Sequence, residues 1–167
     1  MWNRSVGMLT EAQEQGLLRA ADAHPEQARG TFERAVALRE VIFRVFSAVA
    51  ARSAPQGEEL VIVRDAFVEA MARAALSSTT REFSWGWESE ETPGHAEESQ
   101  LLLLPVALST VELLTSAQDW GKIRECPGCG WLFLDASKTG NRRWCSMDEC
   151  GSRDKMRRQY ARKRASR

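Results

Sequence analysis

The chain has 167 residues, 43% of them hydrophobic, and a formal net charge of +0 from 23 Lys+Arg against 23 Asp+Glu. That length suits one ordinary domain plus a small appended module, and that much apolar material excludes global disorder. The apolar stretch 101–108 is too short to span a bilayer, and Met1-Trp2-Asn3-Arg4-Ser5 lacks the apolar run of a signal peptide, so a cytoplasmic protein without membrane partners is expected. Neutrality conceals a split. Residues 1–120 hold 10 basic and 18 acidic side chains, a net of −8, and residues 121–167 hold 13 and 5, a net of +8. Two opposed halves imply a two-part protein.

In chain order, Thr10-Glu11-Ala12-Gln13 reads as a capping box that opens a helix to about Ala23. His24-Pro25 then breaks it. Thr31 caps a second helix to about Arg52, with Phe32, Ala35, Val36, Ile42, Phe43, Phe46 and Val49 at helical spacing. Residues 53–57 form a loop rich in Ser, Pro and Gly. A third helix covers about 59–76, although the β-branched start at 60–63 also suits a short strand. Phe83, Trp85 and Trp87 alternate with polar or small residues as a strand does. The acidic, Pro93-Gly94-containing run 88–98 is a loop. A fourth helix spans about 97–118, and Pro105 kinks it unless it falls in a first turn. The fold class is therefore mainly α with small β elements: a helical domain over 1–119 and a separate module over 120–167.

That module carries all four cysteines within 25 residues, as Cys126, Cys129, Cys145 and Cys150, spaced C-x2-C-x15-C-x4-C. A tetrahedral zinc ion needs four soft ligands converging from two sides, and two close pairs separated by a hairpin-length run supply them. Two disulfides or four unrelated thiols are the competing readings; nothing in the chain suggests secretion, and clustered cysteines in a reducing compartment favour metal. Gly128 and Gly130 stand where the turn needs residues tolerant of positive φ. Residues 131–135 read as a strand with 142–144 as its partner across a turn at 137–141. From about Asp148 the pattern turns helical, with Met156 and Tyr160 spaced to pack back on the hairpin. A knuckle, a hairpin and a helix bearing the last ligands make a treble-clef-like finger. Its helix N-terminus favours the thiolate that binds metal.

Seven basic residues lie between 155 and 167: Lys155, Arg157, Arg158, Arg162, Lys163, Arg164 and Arg167. On a zinc module such a run resembles a nucleic-acid contact surface, although a solvated C-terminal helix has the same composition. With Arg142, Arg143 and Arg153 these residues (Arg167 aside) form the candidate interface. Duplex DNA is the expected partner, gripped mainly through phosphates. Base reading would fall to an arginine such as Arg153 or Arg157, which can grip guanine with two bonds. RNA and an acidic protein surface are the alternatives.

The run Cys126-Pro127-Gly128-Cys129-Gly130-Trp131-Leu132-Phe133-Leu134-Asp135, with Ser137, Asn141-Arg142-Arg143-Trp144-Cys145-Ser146-Met147 and Cys150-Gly151-Ser152-Arg153, closely resembles the CGNR zinc-finger family. In bacteria that finger follows an all-helical domain called ABATE, described as a stress-induced transcription regulator. The helix around Ala37-Leu38-Arg39-Glu40, the tryptophan strand and the leucine-rich fourth helix resemble ABATE. The resemblance implies one zinc per chain and a regulatory role. Ser152 departs from the family's Asn, but both are small polar groups that bond locally to backbone. Family members also usually carry more chain ahead of the first helix, and a missing element there is expected to leave a groove open or filled by a partner.

Catalysis is not expected. His24 precedes a proline at a helix end, and His95 lies in the acidic loop; neither has the positioned partner a general base needs. No phosphate loop, nucleophile elbow or H-E-x-x-H occurs, and four sulfurs would leave zinc no open position. Trp85 and Trp87 face one side of their strand and could line a small-molecule effector pocket, although such residues are more often core. Trp131 and Trp144 are expected to pack the finger hairpin, with base stacking as the sharper reading.

Overall fold

A computed structural model describes residues 11–78, 80, 83–87 and 103–165. The chain divides into two compact units, Met1–Ile42 with Glu58–Glu112, and Phe43–Gly57 with Leu113–Arg167. The helices are α1 (Glu11–Ala23), α2 (Pro25–Ala50), α3 (Gly57–Ala72) and α4 (Leu104–Thr115), with α5 (Ser152–Ala165) at the C-terminus.

The break between α1 and α2 is one residue, His24, and α2 starts at Pro25 rather than at Thr31. Proline fits a first helical position: its φ is already helical, and no N–H is needed there. The His24 carbonyl accepts from Gln27 and Ala28 N–H, both at 3.1 Å, and so closes the first turn. Thr31 is thus a buried residue inside the helix. Along α2, Leu38, Val41, Val45 and Val49 repeat at three- and four-residue steps and are all buried, Val45 completely. Each such side chain contributes about 1.5–3 kcal/mol by leaving water.

α3 takes residues 60–63 into the helix, which excludes the strand reading for them. It ends at Ala72, short of the expected 76, because β1 (Ala74–Ser78) pairs with β2 (Phe83–Trp87) in an antiparallel hairpin, Leu76 opposite Trp85. Cross-strand bonding overrides the helical pattern that Ala74, Ala75 and Leu76 continue. Pro105 is the second residue of α4, so it sits in a first turn and imposes no kink. Ala70 of α3 packs with Leu104 and Ala107 of α4, and Ala66 adds to the cluster. The buried Thr110 hydroxyl is satisfied by donating to the Val106 carbonyl at 2.7 Å. Thr10, the acidic loop 88–98 with His95, and the first part of the fourth helix's expected range lie outside the described residues. Among those described, no helix is long and apolar enough to cross a membrane.

In the second unit a 3-10 turn (Trp120–Lys122) leads into β3 (Ile123–Glu125), which pairs antiparallel with β4 (Leu132–Leu134). This corrects the expected hairpin: β4 pairs with the residues before Cys126, and 141–144 is not a strand. The reason is local. The Cys126 N–H donates to the Trp131 carbonyl at 2.9 Å and the Gly130 N–H to the Cys126 carbonyl at 2.8 Å, so the C-x-x-C turn itself closes the hairpin.

Candidate metal centre and nucleic-acid interface

The zinc knuckle is held by backbone. Gly130 adopts φ +73°, the left-handed region glycine reaches without cost. Gly128 serves differently from expectation. A Cβ there would lie 3.3 Å from the Cys150 Cβ and 3.3 Å from the Trp144 ring, so close approach requires its small size. Beyond β4, Asp135 is buried at 1% exposure. Its Oδ1 accepts from the Ser137 N–H at 3.0 Å and the Ser137 hydroxyl at 2.6 Å, and its Oδ2 accepts from the Arg142 N–H at 2.8 Å. These bonds, the Ser137 hydroxyl foremost, hold the Asp135 carboxyl below the usual carboxylate range despite burial. One carboxylate thereby ties both arms of the 135–142 loop together. In the sequence Asp135 stands only at the end of an expected strand; a carboxylate followed two residues later by a serine is the one signal of its role.

From this loop the chain delivers Trp144 and Cys145. Trp144 is buried against Cys126 and Cys150, with Phe133 and Cys145 alongside. Trp131 is 69% exposed instead of packed, because its carbonyl, not its ring, closes the knuckle. Ser146 caps the next turn by accepting from the Glu149 N–H at 3.2 Å. A wide turn, Met147–Gly151, carries Cys150 into place and continues as α5. The Ser152 hydroxyl donates to the Met147 carbonyl at 3.3 Å, the local backbone bond expected of it.

The four sulfurs lie within 4.8 Å of one another. Cys129 and Cys145 Sγ are 3.6 Å apart, and Cys145 and Cys150 Sγ 3.7 Å apart. A tetrahedron with Zn–S near 2.3 Å has edges of about 3.8 Å, so the spacing fits one zinc; a disulfide would need about 2.05 Å, and all four thiols are free. Their protonation points the same way. Burial opposes ionising Cys126, but N–H groups of Cys145 and Gly128 and the adjoining thiols outweigh it and bring it to about 6. Burial, then the thiols of Cys129 and Cys126, raises Cys145. The Cys129 sulfur, then burial, pushes Cys150 up to about 12. A second or third thiolate needs a cation inside the cluster, and zinc provides it.

The family profile described as "CGNR zinc finger" matches residues 122–163. The ABATE profile, described as "Putative stress-induced transcription regulator", matches residues 5–117. The chain belongs to the ABATE family, with a CGNR zinc finger at its C-terminus. No curated protein and no solved structure is similar enough to match. The four cysteines of the CGNR finger bind one Zn2+, and the ABATE chain is a zinc-binding member of a transcription-regulator family.

The basic residues of the CGNR finger fall into distinct environments. Arg142 is engaged internally: its Nε donates to the Trp144 carbonyl at 2.9 Å, its Nη2 to the Cys145 carbonyl, and its guanidinium lies 5.3 Å from the Phe133 ring centroid. Arg143 lies 4.8 Å over the Trp144 ring. Arg158 pairs with Asp154 at 2.9 Å. On α5, residues 153, 157 and 164 share one face, while Lys155, Arg158 and Arg162 point to another. Lys163 lies between these faces. Met156 and Tyr160 are 53% and 64% exposed, so they do not pack back on the hairpin. α5 has no buried residue, which the i, i+4 spacing of these residues could not foretell.

In the ABATE unit, Trp85 is 43% exposed on β2 and the Trp87 backbone pairs with Ala74. A cavity of about 40 Å³ instead lies among Arg34, Leu38, Ala66, Glu69, Leu104 and neighbours; Trp85 is not among its lining residues.

Proposed function

We infer that the protein regulates transcription by binding duplex DNA through the CGNR finger, with the ABATE unit acting as a sensing or assembly platform without catalytic activity. The observation that carries this reading is the charge left unanswered on the finger. The Arg153 and Arg157 side chains form no ion pair or hydrogen bond with any described residue, Arg164 lies on the same helix face, and the Arg143 side chain is engaged only by a ring. Unpaired arginines on one face, beside a rigid zinc site, match a polyanion's backbone. The −8 half would repel DNA elsewhere and so orient the finger toward it.

Gel-shift titration of zinc-loaded full-length protein against genomic duplexes and RNA of the same sequences tests this. Duplex binding that weakens steeply with salt is expected. Stronger binding to RNA would turn the reading toward RNA. Binding insensitive to salt, with an acidic protein competing equally, would replace it with docking on a protein surface.

A further inference from the structure

Arg143, Arg153 and Arg157 line one cleft of about 100 Å³, together with Gly128, Trp144 and Cys150 of the zinc site. Asp154 lines it as well, but its carboxylate pairs with Arg158, which is not among the lining residues. Arg153 and Arg157, the nearest cations in sequence, are left unanswered by any described residue. Three arginines against one aspartate thus line the cleft. It is polar, open and large enough for several waters or one tetrahedral anion. It also draws on two elements: Arg143 arrives on the segment leading to Cys145, and Arg153 and Arg157 on α5.

We propose that this cleft is a phosphate-binding site that seats one backbone phosphate of the bound DNA against the zinc knuckle. The proposal rests on the DNA-binding reading. A tetrahedral phosphate offers oxygens to guanidinium groups converging from different directions, whereas a carboxylate satisfies one planar fork. Arg153 and Arg157 then position the duplex rather than read its bases. Arg164, seven residues beyond Arg157 and about 10.5 Å further along the helix, meets a second phosphate that only a polymer supplies. Gly128 and Cys150 form part of the wall, so zinc, by holding the knuckle, would also hold the site.

Zinc-loaded full-length protein is titrated with a short duplex across a salt series, as wild type, Arg153→Gln/Arg157→Gln, Arg164→Gln, and the off-cleft control Lys155→Gln/Arg162→Gln. In parallel, inorganic phosphate is titrated while arginine side-chain N–H resonances are followed by NMR. The double cleft variant should lose about tenfold in affinity per arginine and flatten the log–log salt slope by about two. The control should lose less affinity. Arg164→Gln should weaken DNA while leaving the inorganic phosphate titration unchanged. Equal losses for cleft and control variants, with wild-type DNA binding intact, overturn the cleft while sparing the DNA reading. If wild type binds no duplex, the DNA reading fails by itself. Saturable phosphate shifts confined to Arg143, Arg153 and Arg157 then support the site with a free phosphate as ligand, and their absence overturns it.

Discussion

At the scale of single residues, the finger rests on two side chains whose chemistry faces inward. Asp135 spreads three accepted bonds over two oxygens, so neither a neutral amide nor a methyl can replace it. Asp135→Asn turns one acceptor into a donor that meets an N–H, and Asp135→Ala leaves the donors unanswered. Both variants should weaken zinc about tenfold, as loss of a ligand's supporting groups does, and should speed amide exchange over 135–142. Competition with a chelator and hydrogen-exchange mass spectrometry measure these effects. The sign of the pH effect follows from its lowered pKa. The stabilisation from Asp135 is full above the ordinary aspartate pKa and is lost as pH falls through the folded value. Arg142 is the second such residue. Arg142→Gln should disturb the finger and its zinc affinity while changing the salt slope of DNA binding by less than one unit, unlike Arg157→Gln. A full unit lost with an undisturbed finger would place Arg142 among the phosphate contacts.

Among the elements, the CGNR finger is the one that metal must complete. Its three-residue strands and short turn bury too little to hold together alone. Chelation or Cys145→Ser should collapse residues 121–150, seen as lost dispersion of their amide resonances, while the α3–α4 packing of the first unit persists. Simultaneous loss of both units in one transition would contradict this. Gly128→Ala is a milder probe. Its Cβ meets the Cys150 and Trp144 side chains at 3.3 Å, and overpacking should cost about 1–3 kcal/mol, read as a lower melting temperature of the zinc-loaded finger. The ligand spacing, α1, β2 and the helical character of α5 were legible from the chain because periodicity and near-neighbour chemistry encode them. Three features were not. Pro25 opens α2 where a break was expected, since proline both ends and begins helices. The end of the expected third helix joins a hairpin, since Ala and Leu suit either state until a partner strand arrives. β4 pairs with β3 rather than with 142–144, since both segments flank a turn and only the knuckle's backbone bonds choose between them.

Across the whole molecule, metal and charge are coupled to solution conditions. At neutral pH without zinc, Cys145 and Cys150 keep their protons, so zinc binding should release at least two protons per ion. Affinity therefore rises with pH and falls on acidification. Calorimetry in buffers of differing ionisation heat counts the protons directly; a count near zero would refute the four-thiolate site. On the proposed DNA-binding reading, the unpaired cations of one α5 face with their neighbours would make about four phosphate contacts and give a salt slope of roughly −4. Adding neutral or acidic residues at the exposed basic positions should flatten it in proportion.

Composition and spacing alone determined the opposed charge of residues 1–120 and 121–167, the mainly helical fold and the four-cysteine zinc site, because these properties are written in local order and need no partner. Tertiary structure decided which arginine side chains are bonded within the finger. Arg142 and Arg157 are identical in sequence terms, yet one guanidinium is drawn onto backbone carbonyls by a loop that Asp135 folds, and the other is left unanswered in a cleft beside the zinc. Only the three-dimensional path of the backbone determines where a hydrogen-bond donor finds its acceptor. The same path buries Trp144, exposes Trp131 and makes the size of Gly128 a condition of the metal site.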